Sequence, residues 1–301
     1  MPRPIVLGNG SMLVNFDQDY NLRDLYYPYV GMENHMEGRV SATGVWVDGR
    51  FSWLGRADWQ IGLGYRHRSL VSEVSAVNSS LGLGLVFQDA VHFQEPILLR
   101  RVQVRNLAAG EREVRLFFNH DLCVGGSDVG DTVFYEPDTR SVIHYKRNRY
   151  FLINGLWDGA GIWQYSTGIK RFGYREGTWR DAEDGTLSQN PVAQGSVDST
   201  VAFRHVLAGG EEQVFYLWLA AGENLAQVGA QNRQVLHAGP GSLLERTRLY
   251  WRHWVEKKSR PFYDLPAGVV EPSQPPDRAD PHGQPRRHSG RQRHRYYGNQ
   301  P

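Results

Sequence analysis

A single cysteine, Cys123, stands in the 301 residues. Its solitude excludes an intrachain disulfide and a cysteine-built zinc site. No stretch approaches the ~18 uninterrupted apolar residues of a membrane span, so no membrane segment is expected. The opening run from Met1 to Gly10 lacks the apolar core of a secretory signal, and a cytoplasmic location is the reading. An excess of one charge is also missing, because the formal net charge is only +2. Six arginines of residues 271–301 face Glu271, Asp277 and Asp280, which leaves 28 basic against 29 acidic residues in the remainder. A body without basic excess offers no electrostatic footprint for nucleic acid, and no such partner is expected.

The most local absence lies at the C-terminus. From Pro272 to Pro301 there is no Leu, Ile, Val, Phe, Trp or Met, while six Pro and six Arg are present. Such a segment buries too little apolar surface to offset its ordering entropy, so residues 272–301 read as a disordered tail.

What is present before that break favours strands. Residues up to about 221 are rich in Val, Tyr, Trp and Phe, punctuated by Gly and Asn/Asp turns. The clearest local signal is Gly44–Leu54, where two short runs flank Asp48-Gly49, a dipeptide suited to a type I′ hairpin turn. Side chains alternate in Val102–Asn106 and Glu113–Asn119, giving each strand one buried and one wet face. Further strands are expected near 67–76, 81–93, 97–106, 112–122, 131–136, 141–146, 149–155, 160–167, 197–206 and 212–221. The fold class is therefore mainly β: an antiparallel β supersandwich (1–221), then a helical linker (222–271) and the tail. Helices are expected at 223–236 and 242–257. In the second, Leu243, Leu244, Thr247, Tyr250, Trp251, Trp254 and Val255 recur at helical spacing after Gly239-Pro240-Gly241. Its aromatic stripe packs either on its own sandwich or against a further domain.

Four clusters are candidates for chemistry. The loop Tyr26, Tyr27, Pro28, Tyr29 through Asn34 and His35 joins aromatic faces to hydrogen-bonding groups, the combination that holds sugar rings; its alternative role is interdomain packing. His120-Asp121 with Asp128 and Asp131 lacks the HxH or HxxxH spacing of a metal site, so no metal and no cofactor is expected. Asp181, Glu183, Asp184 and Glu176 supply paired carboxylates, but adjacent acids on a turn point apart and read as a solvated loop. Gly8-Asn9-Gly10 has no following Lys-Ser/Thr and is not a phosphate loop.

Several runs together resemble a known family: Gly8–Asp17, Leu22–Gly31 with Asn34-His35, Asp181–Ser188 and Ala193–Asp198. In order and spacing they are similar to the N-terminal region of bacterial and archaeal glycoside hydrolase family 15 proteins, the glucoamylase-like and trehalase-like enzymes. The resemblance covers about residues 1–270. It implies a large β-sandwich, a helical linker and then a C-terminal (α/α)6 barrel that carries both catalytic carboxylates. It also implies inverting hydrolysis of α-glucosidic bonds, with an α-glucan or α-glucoside as partner of the complete enzyme. Under it, Tyr250, Trp251 and Trp254 face the barrel. No position here matches the family's general acid or base, so no catalytic residue is assigned in this chain, which is expected to be inactive alone. A stand-alone carbohydrate-binding module using the Tyr26–His35 loop is the alternative. Codons for Arg291–Gly298 permit, in a frame shifted by one nucleotide, Ala-Asn-Asp-Thr-Asp-Ile-Thr, which resembles the family's first barrel segment. A single-nucleotide slip near codon 271 is the hypothesis. Genomic sequencing is expected to find that shifted frame open; an early stop in it contradicts the idea.

Overall fold

The computed structural model describes residues 3–170 and 176–258. The expectations for 259–301, including the end of the linker and the tail, lie outside them. Among the described residues the strands run in chain order as β1 (Ile5–Gly8), β2 (Leu13–Phe16), β3 (Leu22–Tyr26), β4 (Thr43–Val47), β5 (Arg50–Trp53) and β6 (Gln60–Gly62). There follow β7 (Val74–Asn78), β8 (Leu83–Val91), β9 (Ile97–Asn106), β10 (Arg112–His120), β11 (Asp131–Glu136) and β12 (Ser141–Lys146). The last are β13 (Arg149–Trp157), β14 (Gln164–Ile169), β15 (Val192–Gly195), β16 (Val197–Leu207) and β17 (Glu212–Gly222), then helices α1 (Leu225–Ala238) and α2 (Pro240–Lys258). All pairing is antiparallel. It makes a nine-stranded sheet (β15-β11-β12-β13-β17-β9-β8-β7-β6), a five-stranded sheet (β14-β16-β10-β4-β5) and a three-stranded one (β1-β2-β3).

Period-two alternation sets the layers. On β10, Val114, Leu116 and Phe118 enter the main core with Val102, Val104 and Phe215 of the large sheet. Phe117 points the other way and joins Trp53 in a second cluster on the outer face of the five-stranded sheet. Gly44 makes room for that cluster, since a Cβ there would stand 2.4 Å from the Phe51 ring. The Asp48-Gly49 hairpin forms as expected, with φ of 50° and 76°. The helices cover the outer face of the nine-stranded sheet, where Trp218, Ala220 and Leu99 meet Val235, Leu243 and Leu244.

α1 begins at Asn224, whose side chain accepts from the Gln227 amide at 2.9 Å, an N-cap that satisfies one orphan donor. α2 starts at Pro240, where the missing N–H costs nothing. Its first turns bury Leu243, Leu244 and Thr247, while Tyr250 and Trp254 are 41% and 46% exposed. The expected strand at 67–76 begins only at Val74: residues 66–71 form a turn closed by Arg66 N–H to Val71 O, with Arg68 at a φ of 53°. The strand expected from 160 begins at Gln164, after a tight turn that pairs Trp157 with Ala160.

One buried ion pair ties the three sheets together. Asp89 of β8 lies opposite Arg100 of β9 in register. Arg100 Nε and Nη2 donate to the Asp89 carboxylate at 2.6–3.1 Å, and Nη1 donates to Thr43 Oγ1 of β4 at 3.2 Å. The guanidinium lies 5.3–5.4 Å from the ring centroids of Phe16, Tyr20 and Phe87. Ser72 Oγ bonds the Tyr20 hydroxyl at 2.7 Å and accepts from the Asp89 amide at 2.8 Å. Burial pushes the Asp89 carboxyl up, and the Arg100 guanidinium pulls it back.

Nearby histidines are buried neutral. Burial, reinforced by the Arg100 charge, pushes His120 down to about 3. Burial also holds His144 well below its ordinary value, with its Nε2 at 2.8 Å from Ser199 Oγ. A depressed histidine pKa means the unfolded chain takes up protons first as pH falls below about 6.5, so stability rises with pH in that window.

Two outcomes follow for stability. Asp89→Ala or Arg100→Ala each costs about 3–5 kcal/mol in urea unfolding, because the partner is left buried and unpaired; a loss under ~1 kcal/mol contradicts the tie. Between pH 7 and pH 5 unfolding free energy falls with a slope approaching about 1.4 kcal/mol per pH unit for each of His120 and His144. His120→Gln removes one histidine's share of that slope, and an unchanged profile contradicts the assignment.

Candidate functional site

The loop singled out by its aromatics leaves β3 and returns toward β4. It is braced from within. Tyr27 N–H donates to Glu33 O at 3.2 Å, and the Met32 and Glu33 amides donate to Tyr29 O at 3.1 and 3.2 Å. Asn34 Oδ1 accepts from the amides of Leu25 and Met36, both at 3.1 Å, and its Nδ2 donates to Asp24 Oδ1 at 2.9 Å. His35 is fully buried. Its Nδ1 accepts from the Gly125 amide at 3.0 Å, so Nε2 carries the proton and donates to Tyr27 O at 2.6 Å. Burial holds this imidazole below its ordinary range, which agrees with a neutral ring. His35 and Tyr27 both pack on Phe151, at 4.8 and 6.2 Å between centroids.

Three of the loop residues expected to touch sugar are therefore used in holding the loop: Tyr27, Asn34 and His35. Tyr26 sits at the end of β3, bridged to Asn34, and Pro28 is half-buried. What the loop offers outward is Tyr29, 58% exposed, and Met32, 81% exposed. Between Met32 and the β12–β13 hairpin lies a cleft of about 500 Å³. Its walls include Met32, Glu33 and Glu37 on one side, Gly125 and Gly126 below, and Lys146, Arg147 and Arg149 opposite.

The central feature of the cleft is a two-pronged ion pair. Arg149 Nε and Nη2 donate to the two oxygens of Glu33 at 2.8 and 2.9 Å. This fork geometry is the strong form of the interaction. It holds the Glu33 carboxyl below its ordinary range, so Glu33 is a hydrogen-bond acceptor and not a proton donor at neutral pH. Lys146 is anchored by Val124 O and Ser127 O at 3.0 and 2.6 Å and pairs with Asp131 at 3.1 Å. A cleft of peptide groups and held charges can orient a hydroxylated ligand. It supplies no activated nucleophile.

The other candidate clusters are turn and frame chemistry. Asp184 Oδ1 accepts from the Thr186 amide and hydroxyl at 2.8 Å, and Asp181 Oδ2 accepts from the Ser188 amide at 2.8 Å. Glu176 and Glu183 pair with Arg180. Asp128 pairs with Arg39. Asn9 of the Gly8-Asn9-Gly10 turn reaches His92 O and Glu95 O at 2.8 and 2.9 Å, pinning that turn to the β8–β9 loop. Cys123 is buried, which pushes its thiol up and away from reactivity. In α2, Tyr250 stacks on Phe93 at 4.8 Å, Trp251 lies edge-on between Tyr250 and Trp254, and the stripe runs from the sheet toward solvent. The basic half of the cleft, from Lys146 to Arg149, carried no local signal: its hairpin joins the loop only through long-range sheet pairing.

No family model matches the chain. A curated relative, an uncharacterized glycosyl hydrolase of Methanocaldococcus jannaschii, is 21% identical over 258 residues, 85% of this chain. The chain spans 40% of that relative's length. Among solved structures, a bacterial glucoamylase complexed with acarbose matches 84% of this chain and 37% of its own with a TM-score of 0.67 at 11% identity. A protein assigned as a kojibiose phosphorylase from the human microbiome matches 83% of this chain and 35% of its own, with a TM-score of 0.53 at 10% identity. No described helix is long and apolar enough to cross a membrane. The described residues thus have a glycoside hydrolase-like fold, and the chain has a glycosyl hydrolase homologue.

Proposed function

We propose that this chain is the β-rich part of a glycoside hydrolase of the family 15 kind, glucoamylase-like or trehalase-like, acting on α-glucosides. The observation that carries the reading is the 84% coverage of this chain on a bacterial glucoamylase at a TM-score of 0.67. The ordered sequence runs from Gly8 to Asp198 support it independently. In this reading the chain recognises sugar and docks a catalytic barrel, and does not cleave the bond itself.

Inverting hydrolysis places two carboxylates about 6.5–9.5 Å apart, one to protonate the leaving oxygen and one to activate water. The buried carboxylates among the described residues are otherwise engaged. Asp89 is held by Arg100, Asp131 by Lys146 and the Val124 amide, and Asp198 by Asn119 and Thr178. In the cleft, Glu33 is locked to Arg149. In this reading the acid and base of the reaction are supplied by the barrel that the family resemblance implies. The exposed side of α2, with Tyr250 and Trp254, is the face on which such a barrel would rest.

The purified chain incubated with maltooligosaccharide or trehalose is expected to release no glucose above a no-protein control. Glucose that scales with protein concentration and survives repeated purification overturns the reading.

A further inference from the structure

A second concavity, of about 400 Å³, opens on the outer face of the nine-stranded sheet. Strand register builds its floor. Ala90 of β8, Leu99 of β9 and Trp218 of β17 stand abreast, and this apolar row is covered by Val235, Leu243 and Leu244 of the helices. Two residues along, the same face carries Gln88, Arg101 and Tyr216, again abreast on the three strands. This polar row lines the concavity. Its walls are the first turns of α2, at Gly241, Glu245 and Arg248, and the turn from Arg66 to Val71. A Cβ at Gly241 would stand 2.6 Å from the Tyr216 hydroxyl, so glycine there lets helix and phenol meet.

The lining is cationic. It carries three guanidinium groups, of Arg66, Arg101 and Arg248, and one carboxylate, of Glu245. Glu245 is held in a fork by Arg248 Nε and Nη2 at 2.8 and 2.6 Å. Those hydrogen bonds, with the Arg248 and Arg66 charges behind them, keep the Glu245 carboxyl below its ordinary range. Arg66 has Glu73 at 3.7 Å, a loose and well-exposed pair. Arg101 differs from both. Its acceptors among the described residues are neutral amides: Nη1 donates to Gln103 Oε1 at 3.1 Å and Gln88 Oε1 at 3.5 Å. Gln103 donates in turn to Glu212, which fixes its orientation. Both amides line the concavity, so the guanidinium they hold lies on its floor.

Charge and donor set together select the ligand class. Three positive groups against one negative leave an excess of +2 on the lining. A phosphate monoester carries about −1.5 to −2 at neutral pH, which matches that excess. Its oxygens only accept, and guanidinium forks, a phenol and an amide can all donate to them. A neutral polyol would leave the excess charge unanswered, and a cation would be repelled. The volume lies within the ~300–1,000 Å³ typical of small-molecule sites, which leaves room for an organic group on the phosphate.

We propose that this concavity binds a phosphate group, free or on a small ester, with Arg101 donating from the floor, Arg66 and Arg248 from the walls and Tyr216 from beside α2. The site is independent of the functional reading above.

The test is calorimetric titration of the full chain at constant ionic strength with inorganic phosphate, glycerol 3-phosphate and, as uncharged control, glycerol. A non-sugar ester keeps any sugar site elsewhere silent. Saturation by a phosphate is expected with a dissociation constant below about 1 mM, and none by glycerol. Arg101→Gln keeps an amide that can bond the two glutamines but loses the charge, and weakens binding about tenfold or more. Arg101→Lys keeps the charge without the fork and falls between. Arg66→Gln, on the exposed wall, weakens binding about threefold and serves as the second variant should Arg101→Gln unfold. Arg105→Gln removes the same charge from an exposed position farther along β9 and leaves binding unchanged. A tighter ester identifies a phosphomonoester as the ligand and equal affinities identify inorganic phosphate; either, weakened in Arg101→Gln, upholds the site. No saturation by either phosphate, affinity indifferent to Arg101→Gln and Arg66→Gln, or an equal loss in Arg105→Gln overturns it.

Discussion

The buried pair of Asp89 and Arg100 is the constraint on which this molecule turns. A nine-stranded and a five-stranded sheet can face each other in several registers if only apolar surface is buried, since burial is non-directional. An ionised pair removed from water is different. It must find its hydrogen bonds in one geometry or impose several kcal/mol of penalty. Arg100 spends Nε and Nη2 on Asp89 within the large sheet and Nη1 on Thr43 of the five-stranded sheet. The rings of Phe16, on β2 of the three-stranded sheet, and Tyr20, in its β2–β3 turn, close over the guanidinium. The pair thus fixes how the three sheets meet.

With that register set, the two concavities are consequences of what the strands carry. The Tyr26–His35 loop is held over the large sheet by His35, which accepts from Gly125 and donates to Tyr27. That brace positions Glu33 opposite Arg149, on a hairpin more than a hundred residues away in sequence. At the other place, the register that sets Asp89 opposite Arg100 also sets Gln88 opposite Arg101, on the outer face beside α2. The polar groups of the first are mostly paired with each other.

The sheet architecture was largely legible in the residues. Val102–Asn106 and Glu113–Asn119 alternate cleanly because each has one face on the core, and Asp48-Gly49 announces its hairpin through its tolerance of positive φ. Helix α2 was legible too, because Pro240 and the Leu243–Thr247 spacing agree on where it starts and what it buries. The short strands β6 and β15 were not, since three or four residues cannot show a period. The segment 67–73 contains enough Val and Leu to imitate a strand, but its backbone turns at Arg68. Nothing local marked Arg100 for burial, which depends on Asp89 and Thr43 that only the folded sheet brings to it. Within the loop, His35 and Asn34 have the chemistry of ligand binders, and the backbone groups of Tyr27, Gly125, Leu25 and Met36 engage it.

The central claim is that this chain recognises sugar without cleaving it. A proton NMR sample of the chain with excess maltotriose tests both halves at once. The account predicts saturation transfer from protein to sugar protons, with anomeric signals that stay unchanged over days. Growth of free-glucose anomeric signals, or the absence of any transfer, contradicts it.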